Sequence, residues 1–155
     1  MIKNNKIRIN SDLGEGTGVE KDIMPFLSSC SIACGGHIGD KSTMTDTILM
    51  AKKYGVNIGA HPSYPDKENF GRKNISIPHS DLTNSLINQI DDLDRIARSL
   101  ETSLEHIKLH GALYNFSAND LETALIIIEL MKSKYSDKIL YVPYGSLISR
   151  LAIEN

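Results

Sequence analysis

The sequence predicts an α/β fold of parallel βα units, and three observations carry that prediction. Short runs rich in β-branched residues alternate with longer stretches of helical period, stretch 79–100 carries one apolar stripe, and ionisable side chains collect where strands end. Strand followed by helix, repeated along the chain, is the pattern in which each helix crosses back over a parallel sheet.

The first strand is expected over KIRIN (6–10), leading into Ser11-Asp12-Leu13-Gly14-Glu15. The second, SIAC (31–34), runs through a glycine-rich turn into a helix over 41–54. The third, NIGAH (57–61), is followed by Pro62 and Pro65, which stiffen the chain just after His61. Ser76 and Pro78 precede a helix over 79–100, where Leu82, Leu86, Ile90, Leu93 and Ala97 line up at helical spacing. HIKLH (106–110) is the fourth strand, and Asn119 is the expected N-cap of a helix over 119–134, with Glu122 at the capping-box position. ILYV (139–142) and a helix over 146–153 complete the series. No linker, repeat or low-complexity tract interrupts it, so residues 1–155 are expected to form a single domain.

Composition narrows the function classes. A chain of 155 residues, 41% hydrophobic, has material for one core, and its net charge of −2, with no Lys/Arg run, argues against nucleic acid as a partner. The segment MIKNNKIRINSDLG has no apolar leader core and ALIIIELM is too short to span a bilayer, so a cytoplasmic protein with no membrane partner is expected. Cys30 and Cys34 fit reduced, buried thiols, with Cys34 a small hydrophobe rather than a nucleophile because no base adjoins it in sequence.

The polar residues fall at strand ends. Asp12 and Glu15 follow the first strand, His37 and Asp40 the second, His61 the third and His110 the fourth, with Tyr114 and Asn115 just beyond. His79 and His106 lie elsewhere, at a helix start and a strand start. In parallel βα architectures the loops converge at the carboxyl ends of the strands, so three histidines and two carboxylates placed there point to a shared pocket. Sequence spacing leaves open a metal site, for which Asp12, His37 and His61 are candidate ligands, and a metal-free acid/base site. Lys108 shares a strand face with His110, and an inward lysine needs a carboxylate or an anionic substrate group beside it. GGHIGDKST fails as a phosphate-binding loop, because from Gly35 the motif requires Gly-Lys-Ser at 40–42 and the chain has Asp40-Lys41-Ser42. A glycine turn out of the strand is the competing reading of these residues, as a surface turn is for GAHPSYPD around His61.

Five blocks, NSDLGEG (10–16), SIACGGHIGD (31–40), IGAHPSYPD (58–66), FGRKNI (70–75) and IKLHGALYN (107–115), together resemble the LamB/YcsF family from about Ile7 to the end of the chain. The resemblance implies a parallel (β/α) barrel-like fold of the glycoside hydrolase/deacetylase type. It also implies a place as the A subunit of an ATP-dependent 5-oxoprolinase, which opens the lactam 5-oxoproline (pyroglutamate) to L-glutamate with two partner subunits. ATP would be held by those partners, in keeping with the missing nucleotide motif. Carried over by position, Asp12, Glu15, His61 and His110 would be catalytic, and Asn10, His37, Asp40, Lys108, Tyr114 and Asn115 would bind substrate.

Ser31, Gly36 and Leu109 depart from the asparagine, phenylalanine and proline usual in the family, and Gly36 is expected to remove an aromatic wall beside His37 and loosen substrate packing. A closed barrel takes about 250 residues, so about five βα units amount to an incomplete one, with a sheet edge that a partner chain, a second fragment or self-association into a homo-oligomer would cover. Besides the enzyme subunit, two readings stand: a degenerate lactam- or carboxylate-binding protein without catalysis, and a metal-dependent deacetylase or carbohydrate hydrolase.

Overall fold

The computed structural model describes residues 7–155, which form five parallel strands in one sheet, in the order β1-β2-β3-β4-β5. The elements run β1 (Asn10–Leu13), α1 (Glu20–Ile23), a 3-10 turn (Met24–Phe26), β2 (Ser29–Ala33), α2 (Lys41–Tyr54), β3 (Asn57–His61) and α3 (His79–Ser99). They continue with β4 (Leu104–Lys108), α4 (Gly111–Ser117), α5 (Leu121–Lys134), β5 (Ile139–Tyr141) and α6 (Leu147–Glu154). The α/β class and the five βα units are those the sequence predicts. Among the described residues no helix is long and apolar enough to cross a membrane.

Helix α3 forms where its stripe predicts. Leu82, Leu86, Ile90, Leu93 and Ala97 are all buried, and each fully buried Leu or Ile contributes roughly 1.5–3 kcal/mol relative to exposure. Helix α2 is bounded by Asp40, whose side chain accepts from Thr43 N while Thr43 Oγ1 accepts from Asp40 N, and by Gly55 in the left-handed region at φ 67°. The sheet alternates in character. Leu13, Cys30, Ile32, Ile58, Ala60 and Ile107 join the apolar core with the helices, while Asn10, Asp12, Ser31, Gly59, His61, His106 and Lys108 occupy the intervening positions.

Several boundaries differ from expectation. The first strand is Asn10–Leu13, not 6–10: Lys6 lies outside the described residues, Ile7 and Ile9 are exposed, and pairing begins where the Ile9 carbonyl accepts from Ser28 N and Ser29 N. Asp12 therefore lies within β1 rather than after it. Strand β2 starts at Ser29 and β4 at Leu104, which puts His106 in mid-strand. The N-cap of α5 is Asp120, whose side chain accepts from Thr123 N at 2.8 Å; Asn119 instead closes the end of α4 by donating to the Phe116 carbonyl. Glu122 makes no capping box and reaches His79 at 3.3 Å on the surface. The short α1 and α4 carry too few turns to show a period in the sequence.

Candidate functional site

Four successive strand ends deliver one cluster of side chains. Glu15 stands on the turn after β1, between Gly14 and Gly16, both at positive φ. His37 sits in the loop after β2, where Gly35 N donates to the Ile38 carbonyl and Gly39 passes so close to the Ala33 carbonyl that a Cβ there would lie 2.5 Å from its oxygen. The glycine turn and the strand-end site are thus the same structure: the turn folds His37 back over the sheet. His61 ends β3, and His110, just past β4, donates its backbone N–H to the Pro62 carbonyl.

The cluster is tight and largely buried. His37 Nε2 lies 3.0 Å from Glu15 Oε1, His110 Nδ1 3.0 Å from His61 Nε2, and Glu15 Oε1 3.5 Å from His110 Nδ1. The rings of His37 and His110 stack at 3.6 Å, and the edge of Phe70 closes on both. His61 Nδ1 donates to the Lys108 carbonyl at 2.7 Å and His110 Nε2 to the Phe70 carbonyl at 2.9 Å. All three histidines are buried. Burial depresses His61 to about 4 against the pull of Asp12, and lowers His110 with help from His37. The hydrogen bond from His37 holds Glu15 below the ordinary carboxylate range, despite partial burial.

Beside the cluster, Lys108 Nζ spans both oxygens of Asp12 at 2.7 and 2.8 Å, supplying the carboxylate its inward position requires. Asp12 Oδ2 lies 3.4 Å from His61 Nε2, so this ion pair forms one wall of the histidine site. Tyr114 on α4 lies against it, its ring centroid 5.9 Å from Lys108 Nζ, and burial followed by the charge of Asp12 raises its hydroxyl pKa.

Of the residues singled out from sequence, Asp12, Glu15, His37, His61, Lys108 and His110 come together, with Tyr114 at the margin. Asp40 does not join them. Its exposed carboxylate caps α2, at the helix start where a phosphate-binding loop would present its anion. Asn115 is exposed on α4, and Asn10 lies one layer deeper, where its amide meets Ser29 Oγ, Ser31 Oγ and His106 Nε2. Among the metal-ligand candidates, His37 and His61 belong with Glu15 and His110 in a set of four donors whose ligating atoms all lie within 4.8 Å of one another; Asp12 stands beside that set.

The expectation for Gly36 is overturned. The space a side chain would enter is already filled: a Cβ would lie 2.3 Å from Gln89 Oε1 and 2.4 Å from Ser63 Oγ. Gln89 and Ser63 are the positioning residues that sequence reading missed. Gln89 accepts from Ser63 N and donates to the Ser63 carbonyl and Ser85 Oγ, and Ser63 Oγ meets His37 Nδ1 at 3.1 Å. A polar residue within the buried stripe of α3 was the available signal. His106 was also missed; it is fully buried, stacked on Tyr141 at 4.2 Å and 3.1 Å from Ser31 Oγ.

The model of the LamB/YcsF family matches residues 7–155. The chain is 42% identical to a protein of Pseudomonas syringae pv. tomato named as a second A subunit of 5-oxoprolinase, over 96% of this chain and 62% of the relative. It is 39% identical to the 5-oxoprolinase A subunit of Acinetobacter baylyi, over 97% and 61%. A solved structure titled lactam utilization protein, from Thermus thermophilus, superposes with a TM-score of 0.88 at 32% identity, covering 96% of this chain and 62% of that one. A cellobiose-phosphate cleavage protein of Enterococcus faecalis, so titled provisionally, shares the fold at a TM-score of 0.64 and 14% identity, over 95% and 62%. The chain thus spans about three fifths of the length of these relatives.

Proposed function

This chain belongs to the LamB/YcsF family, and from that premise we propose that it carries the pocket of a 5-oxoprolinase A subunit. In this reading the pocket takes 5-oxoproline and opens its lactam to L-glutamate in the cytoplasm, coupled to ATP bound by two partner subunits. The observation that carries the proposal is a lysine–aspartate pair set against a buried carboxylate–histidine cluster, a combination suited to a small anionic amide.

Lys108 supplies the positive charge that a substrate carboxylate or a developing oxyanion needs, and Asp12 holds its ammonium in place. His61 and His110, depressed by burial, are neutral bases at pH 7. One of them takes a proton from the water that adds to the lactam carbonyl carbon, and returns it to the ring nitrogen as the C–N bond breaks. Glu15 and Ser63 orient His37, which stacks on His110 and fixes its plane. A lactam carbonyl is a weak electrophile, which is the chemical reason for drawing on ATP.

Release of L-glutamate from 5-oxoproline and ATP, with the two partner subunits present, tests the reading. Lys108→Met should abolish release while leaving the circular dichroism spectrum unchanged. Binding of 5-oxoproline with no turnover would favour the non-catalytic lactam-binding reading. Deacetylation of an amino sugar without ATP would favour the hydrolase alternative.

A further inference from the structure

We propose that Glu15, His37, His61 and His110 form a binding site for one divalent first-row metal ion. The inference concerns the same pocket as the lactam reading and rests on hydrogen-bond accounting; an ion held by His61 Nε2 and His110 Nδ1 would occupy the lone pairs that reading uses to take a proton from water, so metal uptake and lactam turnover are tested apart. A backbone carbonyl can only accept, so His61 carries its proton on Nδ1, facing the Lys108 carbonyl, and His110 carries its proton on Nε2, facing the Phe70 carbonyl. Ser63 Oγ donates to the Tyr64 carbonyl at 2.8 Å, so it accepts from His37 Nδ1. Every outer ring nitrogen is thereby committed as a donor. Of the inner nitrogens, His61 Nε2 and His110 Nδ1 turn their lone pairs towards one another, and His37 Nε2 faces the Glu15 carboxylate, to which it donates without a metal and beside which its lone pair would serve as a ligand with one.

That arrangement needs positive charge at its centre. Two lone pairs facing each other at 3.0 Å, as His61 Nε2 and His110 Nδ1 do, repel unless a cation or a shared proton lies between them. Outer N–H groups tied to carbonyls or hydroxyls are how proteins fix the tautomer and aim of metal-binding imidazoles. The spacing is close to that of a metal site. Metal–ligand distances of about 2.0–2.1 Å in a tetrahedral site put neighbouring donors roughly 3.3 Å apart. Here the separations are 3.0 Å for His37 to Glu15 and for His61 to His110, 3.5 Å for Glu15 to His110 and 3.8 Å for Glu15 to His61, with all four ligating atoms within 4.8 Å of one another, so a bound ion would draw the widest pair together. Three imidazoles and one carboxylate suit zinc and its first-row neighbours rather than magnesium or calcium, which take mainly oxygen.

The test is metal uptake by the full chain. Dialysis against Co2+ or Zn2+ at neutral pH, followed by elemental analysis, should find about one ion per chain. The Co2+ form should show visible ligand-field absorption, and thermal stability should rise with metal concentration. Glu15→Gln and His61→Gln should each lower affinity at least tenfold. A folded chain that takes up no metal and shows no thermal shift would overturn the proposal and leave a shared proton in the site. So would uptake that Glu15→Gln and His61→Gln, both folded by circular dichroism, leave unchanged. The Co2+ spectrum of the unsubstituted chain decides the matter even if a variant fails to fold. Metal uptake without lactam turnover would sustain this inference and count against the function proposed above.

Discussion

Gly36→Ala tests whether the site is closed behind His37 by the Gln89–Ser63 contact. The backbone at Gly36 lies outside the left-handed region, so any cost is steric. The new Cβ would lie 2.3 Å from Gln89 Oε1 and 2.4 Å from Ser63 Oγ, about 1 Å inside ordinary van der Waals contact. Gln89 cannot yield cheaply, because its buried amide makes three hydrogen bonds, two to the Ser63 backbone and one to Ser85 Oγ. Overpacking costs about 1–3 kcal/mol, and losing one or two of those hydrogen bonds adds about 1 kcal/mol each. The expected loss is about 3 kcal/mol, equivalent to roughly 6–12 °C in Tm for a domain of this size. Urea and thermal melts of Gly36→Ala, Gln89→Ala and the double variant would measure it. On the Gln89→Ala background the cost of Gly36→Ala should fall by at least about 1 kcal/mol. A Gly36→Ala variant as stable as the parent, or an equal cost on both backgrounds, would refute the steric reasoning.

Other expectations follow from the same structure. Lys108→Met should weaken binding of 5-oxoproline at least tenfold by calorimetry, whereas an unchanged affinity would remove the lysine from the substrate site. Stability should fall on acidification. Burial holds His106 near 4, so between about pH 6.5 and 4 the unfolded chain takes up the proton first and stability drops with pH, by up to about 3 kcal/mol from this residue. The urea midpoint of His106→Gln should therefore depend less on pH across that window than the parent's, and equal slopes would contradict the assignment. Cys34, buried and pushed up to about 12, should resist a thiol reagent in the native protein and react only as the chain unfolds. Native-state labelling at the rate of a free thiol would show that β2 opens.

Much of the fold was legible because its signals were local. The apolar stripe of α3 and the run Asn57–His61 each announce their element within a few residues, whereas Asp40, read from the sequence as a substrate-binding residue, caps α2 instead. The start of β1 was not legible, because Ile7 and Ile9 look like strand residues and only the pairing with β2 decides where the ladder begins. The same uncertainty misplaced His106: with β4 read from 106 it stood at a strand start, whereas with Leu104 first it lies two residues before Lys108 on the inward face. The histidines and carboxylates of the site were legible because they recur at strand ends. The Lys108 and Phe70 carbonyls that fix the rings were not, since a backbone acceptor carries no residue-type signal. Gln89 lay between, a polar residue in an apolar stripe whose meaning required knowing that the loop after β3 packs over it.

The central claim is that these strand ends form a lactam-opening site. It is tested most directly by mixing this chain with the two partner subunits, 5-oxoproline and ATP, and measuring L-glutamate, beside a full-length relative under the same conditions. The expected result is glutamate release that requires ATP and is lost in Lys108→Met. No release from a folded chain, while the full-length relative is active, would contradict the claim.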